Sequence, residues 1–465
     1  MRTSLMRLLF SNFTGCILLL LIVMLTGCGD TTSAPATTVT AAFESGSIGK
    51  AVKTSATEWE LTVADDNNNS TLPALWRSWW YVRMDNAATG TPTTITLKNS
   101  GWFSYYLPIY SYDQKTWHRF DEAEVTQNQE RELVVRKQFA QATVWLARFY
   151  PYTFSDLETY LRSIAGNRFL EIQIPGYSQN GRPLYLLKLT DPDSPVAAKK
   201  RIFIHARTHP AETSPSFLLE GLIGSLLSGS SDAAALLATT EFFIFPMHNV
   251  DGVIAGNYRS TPKSENLEVM WYLDAANPLN LRADVPQEVA IVQQYAKKLM
   301  TDNGPPVLIA LNLHASNSEP DIRTFFFPHF GSTAQGYTAS QASLWDKQLR
   351  FIDLLAARYG AELLEPAPEN GGAGFANNPF PETWWWVNFQ DQVMAMTIEM
   401  TYGRAGFAPR WITPDDTRQL GRALLSAIGD YCSGAVAAQA VRKSAAGRLL
   451  YPDWYPPYAA DELKF

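Results

Sequence analysis

The chain has 465 residues, 46% of them hydrophobic and 18% charged, a balance that supports a sizeable packed core and excludes a disordered or fibrous protein. The 38 basic residues face 45 acidic ones, for a formal charge of −7, and no Lys/Arg cluster stands out, so the composition argues against binding nucleic acid by charge. Three cysteines are too few for a disulfide scaffold.

Arg2 and Arg7 precede an apolar run, Ile17 to Leu25, which leads into Leu25-Thr26-Gly27-Cys28. The run is shorter than the ~20 apolar residues a membrane-spanning helix needs, and the segment resembles a bacterial lipoprotein signal. That resemblance implies removal of residues 1–27, lipidation of Cys28 and anchoring of the protein to a membrane of the bacterial cell envelope. With Cys16 removed and Cys28 acylated, Cys432 has no partner for an intramolecular disulfide. Residues 28–42, rich in Thr, Ser and Ala, are expected to be a flexible tether.

Residues 43–149 carry short alternating or aromatic runs between turn residues: Trp59–Val63, Ser78–Met84, Thr93–Lys98, Trp102–Leu107, Glu132–Arg136 and Thr143–Arg148. Short strands without a long helical period predict a β-sandwich domain. After Tyr150-Pro151-Tyr152 the pattern changes to a helix over Ser155–Ile164 and a hairpin of Phe169–Ile174 and Pro183–Leu189 around Asn180-Gly181. Strands at Arg201–His205, Glu241–Phe245, Val307–Leu313 and Val393–Ile398 then alternate with helices at Ser214–Leu227, Gln287–Met300, Ser343–Tyr359 and Asp415–Tyr431. The expected fold class of residues 150–440 is α/β, a mixed, mostly parallel sheet flanked by helices, with a tail over 441–465.

Chemistry concentrates where these strands end. Arg201–His205 runs into Ala206-Arg207-Thr208-His209-Pro210-Ala211-Glu212, which puts His209 and Glu212 on the turn past a strand's carboxyl end, the place where open α/β sheets build their sites. Val307–Leu313 ends in His314, and Met394–Ile398 is followed directly by Glu399. Two imidazoles and a carboxylate suit Zn²⁺ with one position left open, and an acidic residue continuing a core strand needs a reason to be there.

These blocks resemble the zinc carboxypeptidase family, in particular its cytosolic-carboxypeptidase branch, where His-Pro-Gly-Glu follows an Ala-Arg pair. The resemblance extends through Phe245-Pro246-Met247-His248-Asn249-Val250-Asp251-Gly252-Val253 and Gly256-Asn257-Tyr258-Arg259, and back to Trp80-Tyr81-Val82-Arg83 and Phe149–Leu157. It implies a zinc carboxypeptidase-like fold behind an N-terminal β-sandwich, Zn²⁺ held by His209, Glu212 and His314, Glu399 as general base, Arg259 as oxyanion stabiliser in contact with substrate, and a peptide or peptide-like substrate.

One departure matters. The family has Asn-Arg shortly before a Trp that matches Trp271, and this chain has Glu268-Val269-Met270, so the pair that clamps a terminal carboxylate is lost. Arg282, Arg323 or Arg404 could replace it, Glu268 with Trp271 could read a cationic or uncharged substrate end, or the chain could bind without cleaving. The readings carried forward are a zinc hydrolase of peptide-like amide bonds, a metal-retaining envelope binding protein, and an amidase or peptidase of cell-wall peptides. Trp384-Trp385-Trp386, in the expected substrate-facing loop, either stack on substrate or pack the loop; His205, His248 and His329 are read as supporting, and Tyr402 as a candidate assisting tyrosine.

Overall fold

In Thr93–Lys98, Thr93, Ile95 and Leu97 are buried and the residues between them are half-exposed, the alternation of a strand covered on one face. The computed structural model describes residues 36–101, 106–315, 323–404 and 410–436. Among them the first part of the chain forms β1 (Thr38–Thr40), β2 (Lys50–Lys53), β3 (Glu58–Thr62), β4 (Tyr81–Asp85), β5 (Thr93–Lys98), β6 (Ile109–Ser111), β7 (Trp117–Arg119), β8 (Val125–Gln127), β9 (Leu133–Lys137) and β10 (Val144–Ala147). They assemble into two five-stranded sheets, β1-β4-β10-β6-β7 and β2-β3-β5-β9-β8. Leu61, Ile95, Leu97 and Val135 of one sheet and Val82, Met84, Val144 and Leu146 of the other belong to one buried core.

The tether expected over 28–42 ends earlier than its composition suggests. Thr38–Thr40 pairs antiparallel with Arg83–Asp85, because Thr-Val-Thr is β-branched and meets an open sheet edge. Residues 1–27, Cys28 and the tail 441–465 lie outside the described residues, as do the first four positions of the strand expected at Trp102–Leu107; Tyr106 and Leu107 are buried without being in a strand.

In the second part, α1 (Phe154–Ile164) starts at a capping box in which Thr153 accepts from the Asp156 amide and Asp156 from that of Thr153. The hairpin of β11 (Leu170–Tyr177) and β12 (Pro183–Leu189) follows, then β13 (Lys200–Ala206), α2 (Ser214–Leu226), α3 (Ser231–Thr239), β14 (Thr240–Phe245) and α4 (Val250–Ala255). After α5 (Gln287–Thr301) come β15 (Val307–Ala315), β16 (Phe325–Phe327), α6 (Ala339–Tyr359), α7 (Pro381–Phe389), β17 (Met394–Met400) and α8 (Pro414–Ser433).

The seven strands lie in the order β11-β12-β14-β13-β15-β17-β16. The four central strands are parallel, and the outer pairings are antiparallel. Both faces of the centre are covered, so its strands are buried almost throughout. Ile202, Ile204, Ile309, Leu311, Met396 and Ile398 point into the core that contains α2 and α8. Phe203, Phe245, Ala310 and Ala395 point to the opposite face, against α5 and α7.

Trp384–Trp386 lie on α7 and not in a loop. Trp384 and Trp385 are buried against Phe389 and the second core, while Trp386 rests on Phe330 at 4.5 Å between ring centroids. Pro381 at the helix start and three consecutive tryptophans, which point to different sides of α7, give no amphipathic period to read. Of the two readings of these tryptophans, packing is the one that describes Trp384 and Trp385.

Candidate active site

β13 stops at Ala206, and the chain turns through Arg207 at φ 60°, a left-handed conformation that a non-glycine residue holds only when its surroundings fix it. The fixing group is its own guanidinium, buried inside the loop. Its Nη1 donates to the carbonyl of Tyr152 at 3.0 Å and to Ser216 Oγ at 2.8 Å, and its Nε to the carbonyl of Pro210 at 3.1 Å. The amides of His248 and Asn249 close the other side on the carbonyls of Ala206 and Arg207. The loop so held sets His209 Nδ1 2.7 Å from Glu212 Oε1.

The parallel register of β15 and β17 does the rest. His314 pairs with Glu399, so the two side chains leave the same face of the sheet on one rung. His314 Nδ1 is 2.9 Å from Glu212 Oε2 and 3.1 Å from His209 Nδ1. Ligand atoms of His209, Glu212 and His314 all lie within 4.8 Å of one another, and each residue is buried.

This donor set fits Zn²⁺. Two imidazole nitrogens and a carboxylate converge on one point, where a proton satisfies one nitrogen and a dication takes all three groups. The far nitrogens are engaged, which fixes the near ones as ligands: His209 Nε2 is 3.1 Å from Asn266 Oδ1, and His314 Nε2 is 3.2 Å from Glu268 Oε2. Burial pushes Glu212 up, but the imidazoles of His209 and His314 outweigh it and hold the carboxyl well below its usual range. Against burial, Glu268 and Glu212 hold His314 well above the usual imidazole range, so the two carboxylates favour positive charge at this point.

Glu399 is different. Burial, then the charge of Glu212, pushes its carboxyl up to about 8, and among the described residues its Oε2 has no hydrogen-bond partner. Arg259, half-buried, acts on both Glu399 and His209 through its charge. Its position comes from the sandwich: Asp66 accepts hydrogen bonds from the amides of Tyr258, Arg259 and Ser260 at 2.6, 2.9 and 2.8 Å, and from Ser260 Oγ at 2.9 Å. Asn67 adds its amide to the carbonyl of Thr261 at 2.9 Å. Gly256 ends α4 at φ 75°, and a Cβ there would lie 2.3 Å from the carbonyl oxygen of Gly46, another sandwich residue.

Other expected site residues lie elsewhere. Glu268 is buried with its carboxylate on His314 and on Asn312 Nδ2 at 2.9 Å, so it braces a ligand and is not poised at a free substrate end. Trp271 is buried 6.1 Å from His205. Arg282 bonds Asp284, Arg323 reaches the carbonyl of Leu364 and Arg404 pairs with Glu122. Tyr402 stacks on Phe149 at 3.8 Å and donates to the carbonyl of Ala211 at 3.3 Å. His248 Nδ1 meets Thr208 Oγ1 at 3.2 Å. Sequence reasoning missed Asn266, Asp66, Asn312, Thr397 and Glu382; for Asn312 and Thr397 the signal available was a polar residue in an otherwise apolar strand.

Comparison with known proteins gives a matching picture. Residues 39–149 match the family model described as cytosolic carboxypeptidase N-terminal domain, and residues 157–279 the one described as zinc carboxypeptidase. Human cytosolic carboxypeptidase 2 is 32% identical over 255 residues, 48% of this chain and 28% of that protein, so the chain spans well under half of that relative. Cytosolic carboxypeptidase 6 of Caenorhabditis elegans is 26% identical over 66% of this chain and 67% of its own length. A metallo-carboxypeptidase from Burkholderia cenocepacia shares the fold, with a TM-score of 0.71 at 20% identity over 86% of this chain and all of its own.

Proposed function

On the premise that the chain belongs to the zinc carboxypeptidase family, we propose that it is a zinc metallopeptidase that hydrolyses peptide or peptide-like amide bonds with Glu399 as its general base. The observation that carries the reading is the state of Glu399, buried on the same rung as His314 with one oxygen unengaged among the described residues. A brace for the cluster would be hydrogen-bonded, as Glu268 is; a group that must accept and release a proton is kept open. When bound, Zn²⁺ supplies a Lewis acid that polarises the scissile carbonyl and acidifies water.

Glu399, raised by burial, accepts a proton from water as the C–O bond forms, and returns it to the amide nitrogen as the C–N bond breaks and the amine departs. Arg259 directs its guanidinium at the charge that develops on the carbonyl oxygen. Asn266 and Glu268 hold the ligand imidazoles in one tautomer throughout.

The test pairs metal content with turnover. Glu399→Gln is expected to keep one equivalent of zinc and lose roughly 10²–10⁴-fold in kcat on peptide substrates; His209→Ala is expected to lose both zinc and turnover. Full turnover in Glu399→Gln would overturn the reading. Zinc retained without hydrolysis of any peptide by the unaltered chain would favour an envelope binding protein instead.

Attachment to the bacterial cell envelope through a lipid on Cys28 is part of the same proposal, supported by Leu25-Thr26-Gly27-Cys28. Mass spectrometry of the N-terminal peptide from membrane fractions checks it, with a diacylglycerol adduct expected and lost in Cys28→Ser.

A further inference from the structure

The sandwich loop that carries Asp66 sets a second group against the same arginine. Residues 65–77 lead from β3 towards β4, and an ion pair between the two ends, Arg77 Nη1 to Asp65 Oδ1 at 3.7 Å, closes the loop. Asn67 and Asn68 turn it at φ 57° and 55°, left-handed values that asparagine tolerates better than most residues. The chain then tightens into the 3₁₀ turn Ala74–Trp76, where the Trp76 amide donates to the carbonyl of Pro73 at 2.9 Å. The turn is packed closely. The Gly101 amide donates to the carbonyl of Arg77 at 2.8 Å, and a Cβ at Gly101 would stand 1.8 Å from the carbonyl oxygen of Ala74.

Trp76, 4% exposed, ends this turn with the guanidinium carbon of Arg259 over its ring, 6.0 Å from the centroid. The loop therefore meets the arginine's surroundings at three points. Asp66 accepts from the backbone amide of Arg259 at 2.9 Å. Asn67 exchanges hydrogen bonds with Asn257: its amide donates to Asn257 Oδ1 at 3.3 Å, and Asn257 Nδ2 donates to its Oδ1 at 2.9 Å. These two contacts fix the backbone around Arg259 and leave its side-chain torsions free. A long side chain held only at its backbone spreads its charged end over many positions. The third contact acts on that charged end, because an indole face attracts a cation through its quadrupole, and more strongly where water is kept away.

We propose that Trp76 is a positioning residue for Arg259: its ring face holds the guanidinium in the orientation that meets the oxyanion. The inference rests on the hydrolase reading above, in which Arg259 stabilises that charge. On this account the sandwich orients a side chain of the hydrolytic site as well as anchoring its backbone. Trp76 also belongs to the buried core, so removing it costs packing in any case. A positioning role is set apart by its route: the effect on turnover passes through Arg259 and disappears when the guanidinium is absent. Phenylalanine keeps a smaller ring face at this position, whereas leucine keeps apolar bulk and no ring.

The test is a double-mutant cycle on the zinc-loaded full chain, reading kcat/KM on a peptide substrate, with zinc content and thermal unfolding measured for every variant. Trp76→Leu is expected to lose about tenfold where Arg259 is present and less than about twofold in Arg259→Gln, while Trp76→Phe stays within about threefold of the unaltered chain. Trp76→Met takes the place of Trp76→Leu if leucine prevents folding. Equal losses in the two backgrounds, a Trp76→Phe as impaired as Trp76→Leu, or full activity in Trp76→Leu would each overturn the positioning role. A second arm measures by calorimetry the binding of a phosphinic peptide, whose anionic tetrahedral group stands for the charged carbonyl oxygen, and the same cycle of losses is expected. That pattern of binding in a chain that hydrolyses no peptide overturns the hydrolase reading and leaves the hold of Trp76 on Arg259 standing. Hydrolysis that ignores the cycle overturns the positioning role alone, and absence of both hydrolysis and phosphinic peptide binding overturns both.

Discussion

Burial dominates the titration of both His209 and Glu399, and to it the positive charge of Arg259 adds a lowering contribution at each. A carboxyl raised by burial gains its basic form only as pH climbs through the raised value, so turnover is expected to grow along an acid limb set by Glu399. Removing the neighbouring cation raises that value further. Arg259→Gln should therefore shift the acid limb of kcat/KM to higher pH as well as lowering its plateau, by roughly 10²–10³-fold if the guanidinium meets the oxyanion; a pH–rate profile measures both, and an unmoved limb would separate Arg259 from Glu399. His314 and Glu399 were legible in the sequence as polar residues that continue apolar strands, and His209 and Glu212 as a pair on the turn beyond the end of another. Asn266 and Glu382 were not, because what they do is set by which residues face them across loops distant in the chain.

At the scale of elements, the long periodic helices and the buried central strands could be read in advance, since their patterns persist over two or more turns or over an uninterrupted apolar run. Strands as short as Ile109–Ser111, Trp117–Arg119 and Val125–Gln127 carry too few residues to show a period. α7 was hidden for a different reason: with no apolar face set against a polar one, it reads as a loop rich in tryptophan. The turn after α4 gives a sharper test. Alanine at Gly256 would combine a positive φ with a Cβ 2.3 Å from a carbonyl oxygen, and should destabilise the fold by about 1–3 kcal/mol. Denaturant unfolding measures this, and a change under about 0.5 kcal/mol would mean that the α4 turn moves away from the sandwich at little cost.

Over the whole molecule, Asp66 joins the two halves at the point that matters most for the proposed chemistry. Its carboxylate takes three backbone amides and one hydroxyl from Tyr258–Ser260. Asp66→Ala leaves those donors buried and unsatisfied, at about 1–3 kcal/mol for each one that finds no water, and should lower kcat through Arg259 while zinc stoichiometry stays intact. Asp66→Asn, which keeps one acceptor oxygen and turns the other into a donor, should recover part of both losses. The need for a sandwich could be read from strand-like runs, but its hold on the arginine could not, because no local pattern in Asp66-Asn67-Asn68-Asn69 points to a partner nearly two hundred positions away.

His209, Glu212 and His314 are all positioned from within the α/β half, whereas the arginine answers to the other half. Mild loosening of the sandwich, by heat or by urea well below the main transition, should thus yield a population that still retains its ion and has already gone silent, an off-state that needs neither inhibitor nor chelator.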